Sequence, residues 1–196
     1  MLLRPQRRDR DRVALLPHLS AVAAAEAVIE TTALDVRLRW PNDLYTNGLK
    51  LGGILCEGSF RGAEAEAFIV GIGINVNQRA EDFPADVARR ATVLSEHALG
   101  TLDGRDVAAR VVTGLERWWR LGEPTQILAR FTELAEGANG HAIHVQPRGT
   151  ASEPFEAVTR GIADDGGLIV ELDDGEERIL YSEDVFQLRD GDDRSR

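Results

Sequence analysis

The sequence contains one cysteine, Cys56, so it can build neither an intramolecular disulfide nor a multi-cysteine zinc site, as suits a reducing cytoplasm. Its context, Gly-Ile-Leu-Cys-Glu, has the pattern of a strand, where a thiol is normally buried and inert rather than nucleophilic. No apolar run approaches the roughly 20 residues of a membrane span, and the start Met-Leu-Leu-Arg-Pro lacks the apolar core of a signal peptide. A cytoplasmic location with no membrane partner is therefore expected. A surplus of positive charge is missing too: the formal net charge is −10, which argues against a general nucleic-acid or anionic-membrane binder. No internal repeat, low-complexity segment or DNA-binding helix-turn-helix pattern is visible. What is present, 196 residues of which 43% are hydrophobic, is enough for one medium domain with a small appendage.

Residues 6–12 read as a polar loop leading into a helix that starts near Pro17 and runs through the alanine-rich stretch 19–30, with Leu19, Val22, Ala23 and Ile29 turned inward. Three strands are expected next, over 36–40, 50–58 and 65–76. Asn47-Gly48 should turn the chain between the first two, and Gly62 between the second and third. A short helix is expected over 86–90, then amphipathic helices over 105–121 and 125–136 whose tryptophans, Trp118 and Trp119, serve the core. After a linker at 137–140 the period becomes that of short strands, with turns at 164–167 and 173–175, as in a small barrel. The fold class expected is α+β, an antiparallel sheet with packed helices followed by a small β-barrel. The domains are read as 1–138 and 139–190, with a disordered tail over 191–196. His141 and His144, at i, i+3 in a strand, would face opposite sides and make a poor metal site.

The chemistry-bearing residues are concentrated between Arg39 and Asn75. Trp40-Pro41-Asn42-Asp43 ends a strand in a sharp bend that presents an amide and a carboxylate, and Lys50 follows across a turn. Gly52-Gly53 removes two side chains from a strand, which costs stability unless a ligand or another backbone comes close there. Gly71 and Gly73 do the same in the next strand. Gly71-Ile72-Gly73 is no dinucleotide fingerprint, because position 76 is Val and no helix pattern follows. A bare surface beside one lysine suits a flat ligand and an anion.

In this order, RWPNDLYTNGLKLGGILCE and FIVGIGINVN resemble the biotin protein ligases, whose pattern is Lys-Trp-Pro-Asn-Asp, then Lys-Leu-Ala-Gly-Ile-Leu, then Gly-x-Gly-Ile-Asn. Residues 2–5 and the 19–30 helix resemble the family's segment before the motif, and 140–188 its SH3-like C-terminal domain. The resemblance implies a two-step ligation. Biotin and ATP, with Mg2+, give biotinyl-5′-AMP and pyrophosphate, and the acyl group then passes to a lysine of a biotin carboxyl carrier protein domain. It also implies that Lys50 lies against the biotin carboxylate and the adenylate phosphate. Arg39, Trp40, Asn42 and Asp43 would be motif residues near the adenylate, Gly53 would line the biotin ring, and Gly71, Gly73 and Asn75 the adenylate side. Asp43 could orient the incoming lysine, accept its proton or help hold magnesium.

Arg39 stands where the family has lysine and Gly52 where it has alanine. The resemblance further implies that the family's first catalytic strands and its glycine- and arginine-rich loop are not represented here, and the arginines at 7, 8, 10 and 12 do not replace that loop. Such a chain is expected to expose a sheet edge and an apolar face, which favours a homodimer or aggregation. Two alternatives accompany the ligase reading. One is a non-catalytic remnant of the family; the other is a lipoate ligase-like acyltransferase, against which the Trp-Pro-Asn-Asp motif and the SH3-like tail both count.

Overall fold

The computed structural model describes residues 1–6, 9–61, 64–97, 102–148, 153–182 and 185–190. Its contacts divide the chain into two compact units, Met1–Leu134 and Ala135–Arg196. The tail at 191–196, Arg7, Arg8 and the turn at Gly62 lie outside the described residues.

The first unit is built on a five-stranded sheet in the order β1-β5-β4-β3-β2. Its strands are β1 (Leu2–Leu3), β2 (Val36–Arg39), β3 (Asp43–Thr46), β4 (Leu49–Arg61) and β5 (Glu64–Ile74), and every ladder is antiparallel. The Asn-Gly turn is where it was expected, with φ of 51° at Asn47 and 74° at Gly48, but it joins β3 to β4 rather than the first and second expected strands. The reason is a reversal at Trp40–Asn42, across a cis Trp40–Pro41 peptide, which folds Asp43–Thr46 back onto β2 as a strand of its own. Such a short strand carries too few residues to show a period. The expected polar loop over 6–12 is also partly helical: α1 (Arg10–Ala14) precedes α2 (Leu16–Thr32).

Helix α2 is buried around most of its circumference, from Leu16 to Val28. It lies between the inner face of the sheet and the helices α4 (Gly104–Leu121) and α5 (Pro124–Leu134), with the short α3 (Ala85–Ala88) elsewhere. Alanine explains how a helix can be enclosed this way, since small side chains let neighbours approach on every side. The sheet contributes Val36, Leu38, Leu44, Leu51 and Ile54 to this core, and α4 and α5 contribute Val107, Leu115, Ile127 and Phe131.

One polar residue of α2, Glu26, ties the helices together. Its carboxylate accepts from the guanidinium of Arg117, from Trp118 Nε1 at 2.9 Å and from Arg130 Nε at 2.9 Å. Trp118 is therefore half-buried with its ring nitrogen satisfied, while Trp119 packs on the Leu16, Phe68 and Val70 cluster. No helix among the described residues is long and apolar enough to cross a membrane.

The second unit is a sheet of β6 (Asn139–Pro147), β7 (Phe155–Ile162), β8 (Leu168–Glu171), β9 (Glu177–Leu180) and β10 (Val185–Asp190), in the order β10-β6-β7-β8-β9. Ile143, Val145, Ala157, Leu168, Val170 and Leu180 form its core. The turns fall at Gly166 and Gly175, whose φ values of 89° and 82° need glycine. Among the described residues no ladder joins β9 to β10, so the expected barrel is an open antiparallel sheet. His141 is exposed, and His144 lies opposite Glu156 in the ladder with Nδ1 3.0 Å from its carboxylate.

Candidate active site on the outer face of the first sheet

One face of the first sheet packs on α2, and the residues singled out in the sequence come together on the other. Arg39, Asp43, Gly53 and Gly73 are successive cross-strand partners, so they form a row over four strands. Lys50 joins this row because the ladder between β3 and β4 slips after Leu44, pairing Gly52 with Leu44 but Lys50 with Tyr45. The extra residue is Leu51, which is fully buried. In an unbroken strand, residues three apart point to opposite faces; the bulge turns Lys50 and Gly53 to the same one.

The result is an ion pair on a bare floor. Lys50 Nζ lies 2.6 Å from Asp43 Oδ2. The lysine side chain is 45% exposed and the aspartate 26%, so both still meet solvent. A β-carbon built on Gly53 would stand 3.1 Å from Asp43 Oδ1 and 3.9 Å from Lys50 Cε. Beyond the charges the floor becomes apolar. Leu55 pairs with Gly71, Glu57 with Ile69 and Ile69 with Leu2, and Leu55, Ile69 and Leu2 are all more than half exposed.

The glycines differ in what they make room for. At Gly52 a β-carbon would collide with the carbonyl oxygen of Gly73, so that glycine exists for backbone approach. At Gly71 the nearest atom would be 3.7 Å away and at Gly73 4.0 Å, so a β-carbon at either would meet only ordinary van der Waals contact, and both positions are exposed on the floor. Of the two reasons for a glycine in a strand, Gly52 answers to a neighbouring backbone, while Gly71 and Gly73 leave a surface clear.

Other residues named from the sequence have different surroundings. Trp40 is only 7% exposed and belongs to the core beneath the site. Asn42 spends its amide nitrogen on the Ile54 carbonyl at 2.6 Å, while its own carbonyl accepts from Ile54 N at 2.8 Å, so it clamps the reversal to β4. Asn75 Nδ2 is bonded to the Thr92 carbonyl at 3.1 Å. The Arg39 guanidinium is stacked over the Tyr45 ring, 4.2 Å from its centroid.

Sequence reasoning missed Tyr45, although two residues after Asp43 in a strand is the same-face spacing. Burial, followed by the negative charge of Asp43, holds its hydroxyl above the ordinary tyrosine pKa, against the opposing pull of Arg39 and Lys50. The segment after α3, which borders Lys50, was also missed. Its contacts are long-range and leave no local period.

Cys56 is under the sheet against the Leu16, Phe68 and Val70 cluster. Burial pushes its thiol up to about 11. At pH 8 only about a thousandth of such a group is thiolate, so iodoacetamide should modify it orders of magnitude more slowly than a free thiol of ordinary pKa. Mass spectrometry of a timed reaction checks this, and labelling as fast as that of free cysteine would contradict the burial.

Residues 1–75 match the model of the biotin/lipoate A/B protein ligase family, and residues 145–187 match that of the biotin protein ligase C terminal domain. The chain is 33% identical over 172 residues to the bifunctional ligase/repressor BirA of Bacillus subtilis (strain 168), an alignment covering 85% of this chain and 51% of that protein. Identity to the biotin--[acetyl-CoA-carboxylase] ligase of Mycobacterium tuberculosis is 29% over 180 residues, covering 86% of this chain and 62% of the relative. The chain thus spans about half the length of the first relative and less than two thirds of the second. The solved structure of the biotin protein ligase from Aquifex aeolicus in complex with biotin and ATP is similar with a TM-score of 0.74 at 25% identity, covering 97% of this chain and 76% of that one.

Proposed function

The chain belongs to the biotin protein ligase family, and on that premise we propose that it activates biotin with ATP in the cytoplasm and transfers it to a lysine of a biotin carboxyl carrier domain. The observation that carries this reading is the Lys50–Asp43 pair at one end of a floor that runs through bare glycines to apolar side chains. The cation suits the biotin carboxylate and the phosphate that joins it, and the bare glycines suit flat groups lying against the sheet.

In the first step a biotin carboxylate oxygen attacks the α-phosphorus of ATP, forming the acyl–phosphate bond as pyrophosphate leaves. Negative charge gathers on the phosphoryl oxygens, where the Lys50 ammonium offsets it. Asp43 holds that ammonium at the floor's edge, and Arg39, fixed over Tyr45, adds a second cation nearby. In the second step the carrier lysine attacks the acyl carbon and AMP leaves. Gly53 lies under the biotin ring and Gly71 and Gly73 under the adenylate, while Asn42 and Trp40 support the motif from within the fold. Magnesium bound with ATP would offset charge on its phosphates, and Asp43, whose second carboxylate oxygen is not the one paired with Lys50, would be the site residue to help hold it. The domain reading, 1–138 catalytic and 139–190 SH3-like, accompanies this proposal.

A second reading is favoured by the exposure of Leu2, Leu55 and Ile69, at 57%, 59% and 55%. A floor this open leaves an acyl-adenylate in contact with water, so the chain by itself would be a non-catalytic member of the family. The experiment that separates the two is labelling of a purified biotin carrier domain by this chain. Labelling that requires biotin, ATP and Mg2+ is the expected result. Its absence from a chain with a cooperative thermal melt would move the assignment to the second reading.

A further inference from the structure

Strand β5 ends at Ile74, opposite Gly52, so the edge of β4 at Lys50 and Leu51 has no strand of that sheet beside it on the β5 side. Its backbone groups are paired from elsewhere. The Lys50 N–H donates to the Arg90 carbonyl at 2.8 Å, and the Lys50 carbonyl accepts from Thr92 N at 2.9 Å, a parallel bridge centred on Ala91. The Leu51 carbonyl accepts from Asn75 N at 2.9 Å. Asn75 then reaches across to the same segment: its Nδ2 donates to the Thr92 carbonyl at 3.1 Å, and its carbonyl accepts from Leu94 N at 2.9 Å.

Thr92 is 2% exposed, and its hydroxyl lies 3.1 Å from Glu96 Oε2 and 2.7 Å from His97 Nε2, which secures the turn that follows. A belt of hydrogen bonds therefore runs from the Asn75 side chain through the Thr92 main chain to the Lys50 carbonyl, while the Lys50 N–H is held two residues earlier in the same segment, by the Arg90 carbonyl. Buried backbone groups cost free energy when left unpaired, so slackening one link of the belt loosens the strand end that carries the lysine.

We propose that Asn75 is a positioning residue for Lys50, acting through Thr92, and that its amide nitrogen keeps the lysine seated in its pair with Asp43. The role of Lys50 as the charge-stabilising cation rests on the ligase reading; its positioning by Asn75 is a property of the free chain.

The sequence makes that property measurable, because the 23 basic residues include a single lysine. An amine-acylating reagent therefore has one side-chain target. The chain is treated with a limiting N-hydroxysuccinimide acetate, without biotin or ATP and with a free alkylamine as internal standard. Acetylation of Lys50 is followed by peptide mass spectrometry, and thermal melts are recorded by circular dichroism. In the wild-type chain the Lys50–Asp43 pair, at 2.6 Å, is expected to slow attack by the amine on the reagent.

Asn75→Ala removes the donor, and Asn75→Asp places a carboxylate against the Thr92 carbonyl at nearly unchanged volume. Both should speed Lys50 acetylation roughly threefold or more through local opening of the strand end, with the melt kept. Asp43→Asn, which removes the partner directly, sets the scale of the effect. Unchanged acetylation in a folded Asn75→Ala chain overturns the proposal. Loss of the fold in both Asn75 variants overturns it as well, since Asn75 would then be part of the general scaffold. No substrate is present, so an inactive ligase leaves an accelerated acetylation standing, whereas an active ligase with unaltered acetylation removes only the positioning role.

Discussion

Replacing Lys50 with alanine is expected to lower biotin-dependent pyrophosphate release by about a hundred- to a thousandfold, the range found when one fixed group that stabilises transition-state charge is deleted. The same change should barely alter stability. The Lys50–Asp43 pair is at the surface, with a lysine side chain 45% exposed, and exposed pairs contribute only about 0–1 kcal/mol. Chemistry and folding should therefore separate cleanly. Lys50→Arg keeps the charge but spreads it over a planar fork, so it should recover part of the rate. Pyrophosphate release measured beside a thermal melt reads both quantities. A Lys50→Ala chain that releases pyrophosphate within a fewfold of wild type would remove Lys50 from the chemistry.

The second large effect is expected at Gly73. A β-carbon there has 4.0 Å of clearance to the nearest atom, the Gly53 carbonyl oxygen, and Gly73 is exposed, so a valine is expected to fit with its methyl groups toward solvent. Strands favour β-branched residues over glycine, and Gly73→Val should leave stability unchanged or raise it by up to about 1 kcal/mol. Its isopropyl group would nevertheless stand on the floor where the adenylate is proposed to lie, so biotin- and ATP-dependent pyrophosphate release should fall to background. Gly52→Ala is the contrasting control. Its methyl group collides with the Gly73 carbonyl oxygen, and forcing an extra carbon into a packed site costs about 1–3 kcal/mol. A melt and an activity assay on both variants check the pair, and normal activity in Gly73→Val would show that no ligand uses that surface.

How far each feature could be read in advance depends on how local its cause is. Helices α4 and α5 were legible because their buried residues, Val107, Val111 and Leu115, then Ile127, Phe131 and Leu134, recur at the spacing of one helical face. The Asn47-Gly48 turn was legible because positive φ narrows the choice of residue. Helix α2 was legible as a helix but not as the enclosed centre of the unit, since burial on all sides is set by partners more than 80 residues away, such as Arg117 and Arg130 on Glu26. Strand β3 was absorbed into a turn because it is only four residues long, and its two inward residues, Leu44 and Thr46, are too few to show an alternation.

At the site, the sequence by itself determined which chemical groups are available: one lysine, the carboxylate seven residues before it, and the glycines that follow. These are properties of the chain, and no packing can add or remove them. Only the tertiary structure decided which of the groups meet. The bulge at Leu51 turned Lys50 and Gly53 to one face. The reversal at Trp40–Asn42 set Arg39 beside Asp43, and the segment at 90–92 supplied the backbone partners of Lys50 that β5 does not reach. In a strand, a register slip of one residue exchanges the two faces of the sheet, and register is fixed by partners distant in sequence.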